Sequence, residues 1–316
     1  MKDLPFLDAD ALNAIDVPVL DAMAAIEAGL GALGRSEASQ PNPPVLSPSA
    51  GAFFQPLVAG LPEQNTACVN WLTYHPDNAT VGLPHSGGIL ILNDLSRGMP
   101  LCVMDGIWVS HRRTGYIAGI GVKYLAPAFE DVALIGPGAI AAFAIDALVA
   151  MGRMKGKLKV CSRRRETAER FCREMSVRHG IEAIPVLEPR EAVDGAHLIL
   201  TATTHKGTPF LQRDWVAKGS LVVMIDRLRV ITRELLDDAD RVVTNSAASL
   251  AHWGFGGDGR PVEIMPAIVG ARALVPVGPD QICLYDAGGL AIADLAYASL
   301  LWSRLQGRDE MVPPPP

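Results

Sequence analysis

The residues of this chain best suited to chemistry gather around one glycine-rich turn. Val132–Ile135 is a short apolar run that reads as a buried parallel strand, broken at Gly136-Pro137-Gly138 and followed by a small-residue helix through Ala150. Strand, Gly-x-Gly-x-x-Ala and helix in that order form the fingerprint of a dinucleotide fold. Gly136 allows the tight turn, Gly138 lets the backbone approach a pyrophosphate, and Ala141 lets the helix pack near the strand. The N–H groups at the start of that helix, at Ala139 and Ile140, face the phosphates together with the positive end of the helix dipole.

A second group follows the next strand. Leu158–Cys161 reads as that strand, and it ends in Ser162-Arg163-Arg164-Arg165. An acidic residue at this tip would bind the ribose 2′-hydroxyl of NAD, whereas a basic cluster accommodates the 2′-phosphate of NADP. No Asp or Glu is present there. Ser162 can donate to a phosphate, and the guanidinium groups of Arg163 and Arg164 suit bidentate phosphate contact. NADP(H) is therefore expected over NAD(H); the competing reading is a solvated basic turn ahead of a helix. Ser162 lies 26 residues beyond Gly136 (162 − 136). The usual offset is about 20, and a longer helix or loop accounts for the excess.

These groups need a parallel sheet to position them. From about residue 113 the pattern alternates, with a helix at 167–177 and strands near 184, at 198–202, at 221–225 and at 241–244. Such alternation means crossover units and a parallel sheet. The N-terminal third differs. Leu20, Met23, Ile26, Leu30 and Leu33 recur at helical spacing within 18–35, and a Pro- and Ser-rich connection covers 39–49. Three β-type runs follow at 67–74, 88–92 and 101–104, the last two flanking a turn-rich hairpin loop at 93–100. A final strand at 281–285 leads through Gly288-Gly289 into a helix at 290–305, which is expected to fold back onto the N-terminal α+β unit.

Composition excludes several classes. At 316 residues the chain can hold one large or two ordinary domains, and 49% hydrophobic residues are ample for a core. A net charge of −6 argues against a general nucleic-acid binder. The five cysteines are scattered without Cys-x-x-Cys spacing and the seven histidines show no His-x-x-x-His pattern, so reduced thiols and no metal are expected. Residues 132–152 approach the length of a membrane span, but Gly-Pro-Gly and Asp146 interrupt them and Arg153, Lys155, Lys157 and Lys159 follow at once. A buried strand–turn–helix explains them better. The first five residues lack the apolar core of a signal peptide, so a cytoplasmic protein is expected. The proline tail, 313–316, can form neither helix nor sheet and is expected to be mobile.

Several ordered segments together resemble the ornithine cyclodeaminase/μ-crystallin family. They are Gly88-Ile-Leu-Ile-Leu-Asn-Asp94, Gly98-Met-Pro-Leu-Cys-Val-Met-Asp-Gly106, Arg113-Thr114, Lys123-Tyr-Leu-Ala126, Gly136-Pro-Gly138 and Gly288-Gly-Leu-Ala-Ile-Ala-Asp294. The resemblance runs from the first helix to Ala298. It implies an α/β protein in which a Rossmann-type dinucleotide-binding domain, 113–287, is inserted in an α+β substrate-binding and dimerisation domain, 1–112 plus 288–316. It implies homodimers through the N-terminal domains and hydride transfer between a nicotinamide, lying in the cleft between the domains, and the carbon of an amine/imine pair. Arg113 matches the family arginine that contacts the substrate carboxylate, and a guanidinium fork suits that task; a helix-start salt bridge is the alternative. Asp226 matches the family acid proposed for proton transfer, and a carboxylate at the C-terminal edge of a parallel strand lies where sites form in open sheets; a helix cap or an ion pair with Arg227 or Arg229 is the alternative. Thr114 and Thr203 match positions near the cofactor, and either could instead be a cap.

The departures from the family pattern are as informative. The family lysine of a Val-Lys-Trp context is replaced in Val69-Asn70-Trp71, and Asn70 offers neither charge nor a titrating amine. An earlier family arginine falls near Pro44-Val45-Leu46, where no basic residue stands. The usual Ala-Gln after the glycine-rich turn is Ala139-Ile140, a change that backbone phosphate contacts tolerate. Each lost charge-assisted bond is worth about 1.5–3 kcal/mol, so ornithine itself is expected to bind poorly. The expectation is an NADP-dependent imine or ketimine reductase, or an amino-acid dehydrogenase in reverse, with a small imine or amino-acid-like substrate. Asp226 handles the proton, Arg113 orients an acidic group, and Asn70 stands at the third catalytic position. A cyclodeaminase-type ammonia lyase with altered substrate and a non-catalytic NADPH-binding protein are the alternatives.

Overall fold

The computed structural model describes residues 4–246 and 261–307, so the 313–316 tail lies outside the described residues. The chain divides into two compact units, residues 1–113 with 289–316 and residues 114–288.

In the first unit, β1 (Phe6–Leu7), α1 (Ala9–Asn13) and α2 (Val19–Gly34) precede four strands, β2 (Phe53–Leu61), β3 (Thr66–Tyr74), β4 (Ser86–Asp94) and β5 (Pro100–Asp105). The sheet order is β1-β5-β4-β3-β2, antiparallel except that β1 runs parallel to β5. β2 is absent from the sequence expectation because Pro56 argues against a strand interior. It is an edge strand, where a missing backbone donor is tolerated. Along β3 the period of two buries Thr66, Cys68 and Asn70 on one face and leaves Trp71 exposed on the other. The C-terminal helix, Ala291–Leu305, packs on α2 and on β2, β3 and β4, as expected. The Thr66 and Ser299 hydroxyls meet at 3.0 Å beneath it.

α3 (Gly106–Leu125) begins in this unit. The Asp105 carboxylate caps it, accepting from the N–H groups of Ile107 and Trp108, each at 2.9 Å. Residues 106–113 belong to the first unit and 114–125 to the second. Four glycines, at 106, 115, 119 and 121, hide this helix from a propensity reading.

The second unit contains β6 (Val132–Ile135), α4 (Ala139–Ala150), β7 (Leu158–Cys161), α5 (Arg165–His179), β8 (Ala183–Val186), α6 (Pro189–Val193), β9 (Leu198–Thr201), β10 (Ser220–Met224), α7 (Arg233–Asp238), β11 (Arg241–Thr244), β12 (Glu263–Ile264), α8 (Met265–Gly270) and β13 (Ile282–Asp286). The sheet order is β12-β11-β13-β10-β9-β6-β7-β8, with every pair parallel. β6, β9, β10 and β13 are buried along their whole length, which explains their near-continuous apolar sequences. The order reverses at β6, with β7 and β8 on one side and β9 and β10 on the other. Ligands bind beyond the carboxyl ends of strands at such a switch point. The α/β, doubly wound architecture agrees with the sequence expectation. All five cysteines are free and buried. Among the described residues no helix is long and apolar enough to cross a membrane.

Candidate active site

The switch point is shaped by its glycines. Gly136 has φ +94°, and a Cβ there would stand 2.7 Å from the carbonyl carbon and oxygen of Ala202. The tight turn after β6 therefore requires glycine. Gly138 caps α4 without a side-chain hydrogen bond, and open space extends 4 Å around the place of its Cβ. Ala139 and Ile140 form the first turn of α4, whose N–H groups have no acceptor within the helix. Beyond the ends of β6, β7 and β9 lies a cavity of about 900 Å³, lined among others by Gly136, Gly138, Ser162, Arg163, Arg164 and Thr203. Arg163 and Arg164 are exposed, whereas Arg165 is paired with Glu169 one helical turn on, at 2.8 Å. Glycine turn and open helix start together fit a dinucleotide, and the basic pair Arg163 and Arg164 stands among the residues lining the same cavity. Thr114 is buried on α3 and is not among the residues lining the cavity.

Asp226 stands one strand further along the same edge. β10 ends at Met224, one residue earlier than expected, because the N–H groups of Ile225 and Asp226 turn to the Thr201 carbonyl at 2.8 and 3.2 Å. The carboxyl accepts from the Thr201 hydroxyl at 2.7 Å and from the Thr203 N–H at 3.2 Å. Thr203 thus links the cavity to Asp226. Burial pushes the Asp226 carboxyl up to about 6, against the pull of the Thr201 hydroxyl, the Thr203 N–H and Arg229. A carboxyl in that range can exchange a proton near neutral pH.

Asn70 and Arg113 come together in the first unit, through a residue whose role the sequence does not disclose. Arg113 is 2% exposed, and its Nε and Nη2 donate to the two carboxylate oxygens of Asp294 at 2.7 and 3.2 Å. Nη2 also donates to the Ser110 hydroxyl at 3.1 Å. Arg113 therefore holds the Asp294 carboxylate in a buried ion pair, formed from within α3 and not at that helix's start. A Cβ on Gly289 would collide with this guanidinium. Asn70 is fully buried; its Nδ2 donates to the Gly106 carbonyl at 3.3 Å and its side chain also bonds Asp294. Burial pushes the Asp294 carboxyl up while Arg113 and Asn70 pull it down. One signal could have exposed Asp294: an acid amid the apolar residues of 290–301 has to be partnered. Thr201, the last residue of β9, carries no such mark.

The sequence profile of the Ornithine cyclodeaminase/mu-crystallin family matches residues 13–309. A protein from Rhizobium meliloti described as "Nodulation efficiency protein NfeD" is 27% identical over 313 residues, covering 96% of this chain and 91% of its own. A Delta(1)-pyrroline-2-carboxylate reductase from Bacillus cereus is 28% identical over 288 residues, covering 81% of this chain and 87% of its own. Among solved structures, an archaeal alanine dehydrogenase dimer with bound NAD superposes with a TM-score of 0.86 at 23% identity, over 97% of each chain. That last likeness concerns the fold.

Proposed function

The chain belongs to the ornithine cyclodeaminase/mu-crystallin family, and on that premise we propose that it is an NADP(H)-dependent oxidoreductase acting on a C=N/CH–NH bond: an imine or ketimine reductase or, in reverse, an amino-acid dehydrogenase. The observation that carries this reading is the Asp226 carboxyl, held near neutrality and tied by Thr203 to the cavity of the glycine turn. The Bacillus cereus relative is named for reduction of a pyrroline, a cyclic imine, which supports the same bond type.

Each residue then has a task. The Gly136 turn and the first N–H groups of α4, at Ala139 and Ile140, hold a pyrophosphate. Ser162, Arg163 and Arg164 take the 2′-phosphate. A bound nicotinamide supplies the hydride. Asp226, protonated, gives its proton to the substrate nitrogen, and Thr201 and Thr203 keep the carboxyl oriented. Arg113 assists an acidic substrate less than a lone guanidinium would, because Asp294 already balances its charge. Asn70 adds no charge. The test is a screen of cyclic and acyclic imines with NADPH oxidation as readout; a soluble, folded protein that oxidises NADPH with none of them would overturn the reading.

Cofactor choice has its own check. Arg163→Ala with Arg164→Ala should weaken NADPH binding by at least tenfold, two charge-assisted contacts at about 1.5–3 kcal/mol each being at stake, and leave NADH nearly unchanged. Fluorescence titration of both cofactors reads this. Equal affinity of the unmodified protein for NADPH and NADH would refute the preference.

The protein is also read as a homodimer. On the outer face of the first unit's sheet Val58, Trp71 and Ile89 are 39%, 43% and 50% exposed, and Trp71 pairs directly with Ile89. Apolar residues clustered on one sheet face mark an interaction surface. Light scattering at micromolar concentration should give twice the 33.6 kDa chain mass, and Trp71→Glu should give the monomer. A monomeric unmodified protein is the contrary result.

A further inference from the structure

The loop after β9 packs against the glycine turn and brings a histidine to the same cavity. A Cβ on Gly136 would stand 2.7 Å from the Ala202 carbonyl carbon and 2.8 Å from the Thr203 Cα, so the two segments are in direct contact. His205 lines the cavity together with Thr203, Thr204 and Phe210. It is held from four directions. Its N–H donates to the Thr203 hydroxyl at 3.2 Å. Its carbonyl accepts from Arg229 Nη1 at 3.3 Å. Its ring meets that of Phe210 edge to face, with centroids 5.2 Å apart and planes at 86°. Its Nε2 lies 2.9 Å from the Thr208 carbonyl oxygen. Gly207 gives the ring its place, since a Cβ there would stand 2.9 Å from Cε1 and 3.0 Å from Nε2. Phe210 is fixed in turn, its N–H donating to the Val230 carbonyl at 2.9 Å. A carbonyl oxygen can only accept, so the proton of the neutral imidazole sits on Nε2. Nδ1 is then an acceptor, and it has no partner among the described residues. A ring pinned in one place and one tautomer loses little freedom when a ligand binds, which makes its open nitrogen an effective contact.

We propose that His205 is a binding residue for the cofactor: its Nδ1 accepts a hydrogen bond from a ribose hydroxyl on the nicotinamide side of the dinucleotide. The side follows from strand order. Ser162, Arg163 and Arg164 follow β7, the glycine turn follows β6, His205 follows β9 and Asp226 follows β10. These strands lie side by side in the order β7-β6-β9-β10. A dinucleotide with its 2′-phosphate at the β7 tip and its pyrophosphate on the β6 turn carries its second ribose to the other flank of β6, where His205 and Asp226 stand. The chemistry agrees. A hydroxyl has a proton to give to a bare ring nitrogen, whereas the oxygens of a phosphate have none. Arg163 and Arg164 thus take the charged end of the cofactor, and His205 takes an uncharged group at the other. The proposal rests on the reading of the cavity as a dinucleotide site, and its test needs no turnover.

The experiment is a calorimetric titration of the full chain with two probes, NADPH and adenosine 2′,5′-bisphosphate, which carries the phosphorylated adenosine but no second ribose. His205→Phe keeps a ring against Phe210 and removes both nitrogens. It should weaken NADPH binding by about three- to tenfold, the worth of one neutral hydrogen bond, and leave the bisphosphate unchanged. His205→Asn returns an acceptor oxygen near the place of Nδ1 and should bind NADPH more tightly than His205→Phe. Equal weakening of both probes, or an Asn variant as weak as the Phe variant, means that the loop has lost its order and not a contact, and overturns the proposal. The unmodified protein supplies a reading independent of any variant's folding. With ¹⁵N-labelled histidine, NADPH should move the Nδ1 resonance of His205 upfield, as a ring nitrogen does on gaining a donor, and the bisphosphate should leave it in place. An Nδ1 resonance indifferent to NADPH overturns the proposal. The cofactor reading fails differently: an unmodified protein that binds neither probe sinks that reading and this proposal together, whereas binding of both probes that His205→Phe leaves unchanged sinks this proposal alone.

Discussion

Asp226→Asn is expected to lower turnover by about 10²–10⁴-fold, the usual contribution of one general acid or base, with NADPH affinity unchanged and thermal stability at pH 7 increased. The two effects share one cause. Folding raises the Asp226 carboxyl from 3.8 to about 6, so the folded state binds that proton more tightly than the unfolded chain. The stabilisation this gives is complete below about pH 4 and is lost as the pH rises through 6. At pH 7 the ionised buried carboxylate costs up to about 3 kcal/mol, because each tenfold change in proton affinity is worth about 1.4 kcal/mol. Asparagine carries no charge and escapes that cost, although its amide facing the Thr203 N–H forfeits about 1 kcal/mol. The variant should therefore melt higher than the unmodified protein at pH 7, and the gap should close toward pH 4. In the reductive direction kcat of the unmodified enzyme should fall above about pH 6 as Asp226 loses its proton, a limb absent from the residual activity of the variant. Steady-state kinetics on whichever imine is turned over, with melting curves across pH, read both effects. If Asp226→Asn keeps near-full kcat, proton delivery belongs to solvent or to the substrate.

The parts legible in the sequence are the parts whose physics is local. A strand, a glycine turn and a helix occupy adjacent residues at 132–150, and the basic tip at 162–164 adjoins its own strand; each carries its signal within a few positions. β2 is hidden by Pro56, whose tolerance depends on the edge place that only the assembled sheet assigns. α3 is hidden by its glycines at 106, 115, 119 and 121. The charge partners are illegible for a different reason. Arg113 and Asp294 are separated by 181 residues, and nothing near either names the other. Arg227 and Leu228 stand in the left-handed region, with φ of 60° and 64°, and carry no mark of it, since neither residue type prefers it. Asn70 is legible as a departure from the family lysine. Its complete burial against Gly106 and Asp294 comes from the α+β packing, not from its neighbours in sequence.

The same buried pair carries the largest expected loss of stability. Asp294→Ala should destabilise the protein by about 3–5 kcal/mol, the usual result of stripping one partner from a buried ion pair. Arg113 cannot escape to water, because its side chain is 3% exposed, Gly289 packs against it and the Ser110 hydroxyl holds Nη2. Asn70 would lose one hydrogen bond and keep its donation to the Gly106 carbonyl. The cost is that of a buried cation stripped of this carboxylate, not of the pair's net attraction, so removing both charges should be far milder. Arg113→Met with Asp294→Leu replaces the pair by apolar groups of similar reach, and such replacements are often neutral or stabilising. Urea unfolding of Arg113→Met, Asp294→Leu and the double variant forms a cycle whose coupling should exceed about 2 kcal/mol, as for contacting residues of one network. Activity then separates structure from function. A double variant that regains stability and also turns over an acidic imine normally would assign Arg113 to the scaffold alone. If it regains stability but its KM for acidic imines rises while kcat for neutral imines holds, the guanidinium binds substrate with Asp294 as its support. A small, additive loss from Asp294→Ala would mean that Arg113 finds another anion, and the pair would then carry neither role.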